Sequence, residues 1–246
     1  MSGWTAKRFW TETRVEEVDG GFTIRLDGRA VKTPAKTLLI VPTRAMADRI
    51  AAEWEAQQGK VDPRSMPWTR SANAALDKVG TQFAEVVGLL AAYGDTDLLC
   101  YRAAGPAELA LRQAEGWDPL LAWTATLLNA PLNATIGVMH VEQPAESLAR
   151  LTARIGQMTA FQLTGFHDLV AISGSLVLAL AVADQRLSAD EAWHLSRLDE
   201  HWQAEVWGRD EEAEALEAAR LEGFLHAERF YRLSTSSGAA LQRADA

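Results

Sequence analysis

A single carboxylate, Asp199, stands out because it falls among the apolar residues of a predicted helix. Ser188 and Glu191 have the spacing of a capping box, which predicts that a helix begins there and continues to Trp207. At about 100° per residue, the apolar arc of this helix consists of Leu195, Leu198, Trp202 and Val206. Asp199 points into that arc. Burying an unpaired carboxylate is costly, so such a group is normally paired, protonated or reserved for a partner.

The opposite side of the same helix carries a second aromatic stripe, Trp193 and Trp207, with Glu200 between them. Two interpretations stay open at this point. In the first, the helix packs on both sides inside a bundle and Asp199 is ion-paired with an arginine. In the second, the helix presents a protein-binding surface. The residues predicted to bind the partner are then Asp199, Glu200, Trp202, Trp193 and Trp207.

Two histidines on this helix raise the question of acid–base or metal chemistry. His194, His201 and Glu205 share one face, because separations of seven and eleven residues are near-integral numbers of turns. Two histidines so far apart do not chelate one ion without further ligands, so no metal site is predicted. An alternative function is a helical-domain enzyme that acts on a small molecule with Asp199 and His194 or His201 as an acid–base pair. Both histidines lie well away from Asp199 on the helical wheel, which weakens that alternative.

No other pattern in the chain predicts catalysis. The Asp-Thr-Asp sequence at residues 95–97 follows a glycine and precedes an apolar run, which is typical of a turn and a cap. The Ser-Gly-Ser sequence at residues 173–175 lies in an apolar segment and is interpreted as a close helix-packing site. Cys100, between Leu99 and Tyr101, is interpreted as a packed thiol. We therefore predict a protein that is not an enzyme and that needs neither cofactor nor metal.

Composition and charge narrow the class of protein further. The net charge of −9 over 246 residues argues against binding to nucleic acid or to anionic membrane surfaces. The only cysteine excludes internal disulfides and fits a reducing compartment. The longest apolar run, Leu169 to Ala183, is too short and too interrupted for a membrane-spanning helix, so no membrane insertion is expected. A monomer is expected.

The elements that must position these residues divide the chain into two parts. The predicted strands are Val15–Val18, Phe22–Leu26 and Leu38–Val41, followed by a helix that Thr43 caps. The predicted helices after them are Trp68–Val79, Gln82–Tyr93, Ala107–Glu115, Pro119–Leu128, Ala145–Ile155, Phe166–Ala183, Ala189–Trp207 and Glu211–Tyr231. The predicted fold class is α+β, with a small N-terminal α+β domain at residues 1–67 and a larger, mostly α-helical domain at residues 68–246.

Six motifs, taken in order and spacing, resemble the assembly chaperones of the catalytic (F-one) sector of F-type ATP synthase, in the branch that handles the α subunit. The motifs are Gly21 to Arg29 with Lys32-Thr33-Pro34, Glu53 to Gln57, Met66-Pro67, Thr96-Asp97 with Tyr101-Arg102-Ala103, Trp117 to Trp123, and Leu198-Asp199-Glu200 with Gln203 and Trp207-Gly208. Each motif alone is weak, but together they cover nearly the whole chain.

The resemblance implies a non-enzymatic role, in which the chain holds the free α subunit until the β subunit displaces it. It also implies an N-terminal α+β part and a helical C-terminal part. The acidic position that matters in this family, usually a glutamate, corresponds to Asp199 when the sequences are aligned through Gln203 and Trp207-Gly208. Since the N-terminus shows no mitochondrial presequence, we expect a bacterial, cytoplasmic protein; a mature eukaryotic chain would lie in the mitochondrial matrix.

Overall fold

A computed structural model of the chain describes residues 7–208 and 210–235, and the fold is α+β as predicted. Contacts group the residues into two compact units. Unit one consists of Met1–Phe83, Thr159–Gly165 and Arg229–Ala246, and unit two of Ala84–Met158 and Phe166–Glu228. The division of the chain into domains after residue 67 stays a prediction.

Unit one contains a small antiparallel sheet in which the second strand is central. The strands are β1 (Thr13–Val18), β2 (Gly21–Leu26), β3 (Arg29–Ala30) and β4 (Ile40–Val41), and β2 pairs with the other three. Gly21 is required at the start of β2, because a Cβ there would lie 2.3 Å from the carbonyl oxygen of Val41. The predicted strand Leu38–Val41 is a strand only over its last two residues.

The core of unit one forms between this sheet and the helices that pack against it. The helices are α1 (Arg44–Glu55) and α2 (Pro67–Ala74), the latter continuing as a π-helical turn over Ala75–Val79. Thr43 caps α1, as predicted, by accepting a hydrogen bond from the Met46 amide. Phe230 is fully buried here, and its ring lies 5.9 Å from that of Trp68 and 6.3 Å from that of Phe161. Chain segments that are distant in sequence therefore complete this core.

Helices build most of unit two. The helices after α2 are α3 (Phe83–Ala91), α4 (Ala107–Leu127), α5 (Ala145–Gly156), α6 (Ala160–Ser173), α7 (Leu176–Ala183), α8 (Ala189–Ser196), α9 (Leu198–Trp207) and α10 (Glu211–Ser234). Of these, α6 begins in unit one and α10 ends in it. Two short strands, β5 (Tyr101–Arg102) and β6 (Thr135–Ile136), pair in parallel. Helix α7 is the most apolar but has only eight residues. Across the described residues no helix is both long and apolar enough to span a membrane.

Two predicted helix boundaries in unit two are wrong. The helices predicted on either side of Asp118 are one helix, α4, with Pro119 inside it. The proline ring is exposed, while Trp117 and Leu120 are buried next to it, so packing holds both halves in line despite the missing amide donor. Conversely, the helix predicted over Phe166–Ala183 is two helices, α6 and α7.

The break between α6 and α7 lies at the Ser-Gly-Ser sequence. Gly174 has a φ of 73°, in the left-handed region that favours glycine, and Ser175 caps α7 by accepting from the Leu178 amide at 3.0 Å. A Cβ at Gly174 would meet no atom within 4 Å. The interpretation of this sequence as a close helix-packing site is therefore wrong, since its role is to end one helix and begin the next.

Asp97 is the cap that the sequence predicts, and it lies fully buried. Its carboxylate accepts hydrogen bonds from the Leu99 amide at 3.0 Å, the Ser175 hydroxyl at 2.8 Å and the Val177 amide at 3.0 Å. Burial raises the pKa of Asp97 to about 6, although the three hydrogen bonds oppose that rise. One side chain thus joins the Leu98–Cys100 turn to the start of α7.

Replacement of Asp97 by asparagine should change how the stability of the protein depends on pH. Because the pKa of Asp97 is higher in the folded chain than in the unfolded chain, the folded chain binds the proton more tightly, and this group's contribution to stability falls as the pH rises through about 4 to 6. The free energy of unfolding of wild type relative to Asp97→Asn should therefore fall by about 1 kcal/mol between about pH 5 and about pH 7.5. Urea unfolding at both pH values measures it. The control is Asp48→Asn, which alters an exposed carboxylate, and an equal pH dependence in the two variants would contradict the assignment.

Candidate functional site

The helix predicted over Ala189–Trp207 is interrupted at Arg197. The predicted capping box at its start is confirmed: the Ser188 hydroxyl accepts from the Glu191 amide, and the Glu191 carboxylate accepts from the Ser188 amide at 2.8 Å. Helix α8 then ends at Ser196, Arg197 has φ −112° and ψ 19°, and α9 begins at Leu198. The single continuous helix is therefore a wrong prediction.

A side chain from another helix donates a hydrogen bond to the backbone next to the interruption. The indole N–H of Trp117, on α4, donates to the carbonyl oxygen of Leu195 at 3.0 Å. Trp117 is only 1% exposed, so this hydrogen bond is shielded from water. Because donor and acceptor are 78 residues apart, the periodicity of residues 189–207 contains no sign of it.

The interruption explains why an acidic residue is favourable at position 199, which a continuous helix does not explain. Asp199 and Glu200 now lie in the first turn of α9, where the positive end of the helix dipole stabilises acidic side chains. Glu200 is exposed and forms an ion pair with Arg197. The apolar arc is also broken, because Val206, predicted to share it, is 55% exposed.

The partner of Asp199 is an amide, not an arginine. The side-chain N–H of Gln113 donates to the carboxylate of Asp199 at 2.6 Å, and the Gln113 carbonyl oxygen accepts from the Ala103 amide at 2.7 Å. Gln113 is 1% exposed, whereas Asp199 is half-buried. Among the described residues, no arginine forms the ion pair with Asp199 that the first interpretation requires. Gln113 holds the carboxylate in place without cancelling its charge.

Helices α4 and α9 run antiparallel along each other, as the order of their contacts shows. Gly116 lies beside Leu198, Gln113 bonds Asp199, and Arg112 pairs with Glu205 at 2.8 Å. A Cβ on Gly116 would lie 3.4 Å from Leu198 and 2.7 Å from Leu195, so the glycine allows the close approach. The side chains that surround Asp199 thus come from two helices.

A shallow groove of about 530 Å³ opens between α4 and α9. Its lining consists of Glu108, Leu111, Arg112, Trp202, Glu205 and Val206. The guanidinium of Arg112 lies 4.7 Å from the centre of the Trp202 ring, a cation–π geometry. The sequence pattern pointed to Trp202 but not to the residues that α4 contributes to the groove. The feature of the sequence that could have indicated them is the recurrence of Glu108, Leu111, Arg112 and Glu115 on one face of a predicted helix.

The three tryptophans predicted to bind a partner have different surroundings. Trp193 is 6% exposed and its ring lies 5.9 Å from that of Phe224, so its observed contact is internal packing. Trp202 is half-buried at the groove, and Trp207 is 78% exposed. Trp193 and Trp207 do not form one stripe, because they lie on separate helices and one is buried while the other is exposed. Their role in partner binding stays a prediction.

The histidines do not assemble an acid–base site with Asp199. The rings of His194 and His201 lie 4.8 Å apart, and His201 contacts the carboxylate of Glu217 at 2.9 Å. Among the hydrogen bonds of the described residues, none joins Asp199 to either histidine. In the same part of the chain, no cluster of three or more histidine, cysteine or acidic side chains could hold a metal ion.

Replacing Gln113 by leucine should destabilise the fold. The change removes both the acceptor of the Ala103 amide and the donor to Asp199. The Ala103 amide and the Asp199 carboxylate then lose these hydrogen bonds where little water can replace them. We expect a loss of about 1–3 kcal/mol in the free energy of unfolding, measured by urea denaturation. Leu127→Gln, a change at a 73% exposed position of the same helix, is the control and should stay within about 0.5 kcal/mol of wild type. A similar small effect for Gln113→Leu would show that the amide does not hold Asp199.

Comparison with known proteins places this geometry in a family. Residues 7–125 match the model of a family described as ATP12 chaperone protein. The crystal structure of Atp12 from Paracoccus denitrificans is 50% identical, with a TM-score of 0.90 over 94% of this chain and 99% of that chain. The crystal structure of a protein from Agrobacterium tumefaciens is 40% identical, with a TM-score of 0.88 over 94% of this chain and 87% of that one.

A mitochondrial relative extends the comparison beyond bacteria. The mitochondrial protein atp12 of Schizosaccharomyces pombe is 26% identical over 223 residues, which are 86% of this chain and 77% of the relative. These similarities confirm the resemblance to the assembly chaperones of ATP synthase. The chain therefore belongs to the ATP12 chaperone family, whose members act in the assembly of ATP synthase.

Proposed function

We propose that this chain binds the free α subunit of ATP synthase and keeps it from aggregating until the β subunit takes its place. Membership of the family makes the chain an ATP synthase assembly chaperone with an ATP synthase subunit as its partner. The choice of the α subunit rests on the six sequence motifs, which resemble the branch that handles that subunit.

The observation that carries the proposal is the environment of Asp199. Its half-buried carboxylate accepts from a neutral amide, so its negative charge is not neutralised by that contact. Trp202 lies one turn along α9, and Val206 and Trp207 follow at 55% and 78% exposure. A held, charged acceptor beside exposed apolar side chains suits a client that offers a cation or a donor next to an apolar surface.

This mixture of charge and apolar surface also suits temporary binding. An unassembled subunit exposes apolar interface that would otherwise aggregate. A chaperone must cover that interface and yet release it, which favours a surface with polar and charged components over a fully apolar, obligate one. Release then needs no chemical step, because the β subunit competes for the same client. The proposed mechanism therefore involves no turnover and no cofactor.

Within the proposed site, each residue that the sequence predicts to bind the partner has a distinct role. Asp199, Trp202 and Trp207 contact the client directly, and Glu200, which is ion-paired with Arg197, flanks Asp199 at the start of α9. Trp193, buried against Phe224, supports the surface from inside. The chain acts as a monomer in the cytoplasm of a bacterium, in keeping with its two bacterial relatives.

Replacing Asp199 by asparagine should reduce capture of the α subunit much more than it reduces stability. An asparagine oxygen can still accept from Gln113, so only the charge is lost, and the free energy of unfolding should change by less than about 1 kcal/mol. Capture should fall about tenfold or more, as expected for a central residue of an interface. Pull-down with tagged α subunit and thermal unfolding are measured on the same preparations.

The matched control is Asp190→Asn, which removes an exposed carboxylate from the first turn of α8 and should leave capture unchanged. Asp199→Lys should lose capture completely and also lose about 1–3 kcal/mol of stability, because a lysine cannot accept from Gln113. Parallel losses of stability and capture in Asp199→Asn would show that Asp199 is structural and would contradict direct contact.

An aggregation assay tests the choice of client. The wild-type chain should suppress precipitation of isolated α subunit, and it should leave isolated β subunit and an unrelated aggregation-prone protein unprotected. Suppression of all three clients, or of none, would overturn the α-subunit proposal.

A further inference from the structure

The groove between α4 and α9 contains more carboxylates than cations. Glu205 lies in the last turn of α9, where the helix dipole favours a cation over an acidic side chain. Arg112 compensates it through their ion pair at 2.8 Å. Glu108 lines the same groove and, among the described residues, forms no ion pair. Two carboxylates therefore share one guanidinium, so the groove can accept a further positive charge.

Apolar side chains flank these charges and are open to solvent. Leu111 is 59% exposed and Val206 is 55% exposed, on facing sides of the groove. Trp207, next along α9, is 78% exposed. Large apolar side chains that are exposed together around a concave surface mark an interaction site more often than an ordinary surface.

We propose that this groove binds a helical segment of the α subunit that carries aliphatic side chains on one face beside a lysine or an arginine. The inference rests on the proposed function and identifies the part of the client that is bound. Its aliphatic side chains contact Leu111 and Val206, and its cation lies between Glu108 and Glu205. None of these four residues was predicted to bind a partner from the sequence.

Geometry and charge both favour this occupant. A groove between two antiparallel helices accepts a third helix through side chains that recur every three or four residues. The C-terminal end of α9, next to Val206, adds the negative end of a helix dipole to the charges of the two carboxylates. An acidic or uniformly apolar segment would leave Glu108 uncompensated, so it would bind less well.

Two pairs of variants of the full-length chain test the contact residues. Leu111→Glu should reduce capture of purified α subunit about tenfold or more, whereas the control Leu127→Glu, at a 73% exposed position of the same helix, should not. Glu108→Gln should reduce capture about threefold to tenfold and weaken its dependence on salt, whereas Glu85→Gln, at an exposed position of α3 that does not line the groove, should not. All four positions are exposed, so thermal unfolding should differ little among the variants.

Crosslinking tests the chemistry of the client segment. Leu111→Cys introduces an exposed thiol, while the natural Cys100 is buried and burial raises its pKa to about 12, so a maleimide photocrosslinker will label position 111. After illumination with α subunit, mass spectrometry should identify one client helix with aliphatic residues at helical spacing and an adjacent lysine or arginine. Leu127→Cys serves as the control and should yield no specific crosslink.

The outcomes separate this inference from the proposed function. If wild type captures α subunit and Leu111→Glu captures it equally well, the groove is not the binding surface and the proposed function stands. A crosslink to an acidic segment, or equal crosslinks from positions 111 and 127, overturns the inference in the same way. If wild type does not capture α subunit at all, the proposed function and the groove's occupant both fall.

Discussion

The packing of α4 against α8 and α9 is the contact on which the candidate site depends. Gly116 allows the helices to approach closely, the Trp117 indole bonds the Leu195 carbonyl, and Gln113 bonds Asp199. Each contact lies within a few residues of the break at Arg197, where α9 begins. Because α9 starts there, Asp199 lies in a first helical turn, and the exposed end of α9 forms one side of the groove.

Two aspartates illustrate how the surroundings of a carboxylate set the number of acceptor positions that remain open to a partner. Asp97 is fully buried and accepts from three protein donors, so its hydrogen-bonding capacity is used inside the fold. Asp199 is half-buried and accepts from Gln113. A carboxylate has roughly four acceptor positions. The exposed part of Asp199 therefore remains available to a partner, whereas Asp97 holds a turn against the start of α7.

The composition of the groove is compatible with the proposed binding and release of a client. Arg112 and Glu205 pair with each other in the free protein, and Arg112 packs over Trp202, so the excess negative charge of the groove is that of Glu108, which forms no ion pair among the described residues. Only exposed apolar side chains and a small excess of negative charge remain for a client. Such a surface supplies contact area and orientation without the large apolar core of an obligate interface. In the proposed mechanism, competition by the next subunit is then sufficient for release.

Local signals in the sequence determined much of the architecture. The two long strands of the sheet, the caps at Thr43 and Asp97 and the capping box at Ser188 each depend on residues within a few positions of one another. Such signals also sufficed for the α+β fold class. The six motifs, in their order and spacing, were enough to identify the family.

Only the tertiary structure decided where helices join, where they break and which surface they form. Pro119 remains inside α4 because buried neighbours hold both halves of the helix in line, and α8 and α9 separate where Trp117 reaches the backbone. The partner of Asp199 is 86 residues away in the sequence. Helical periodicity describes one segment at a time, so it predicts that a carboxylate lies on an apolar face but not which side chain meets it. That depends on which helix packs there, and packing is a property of the whole fold.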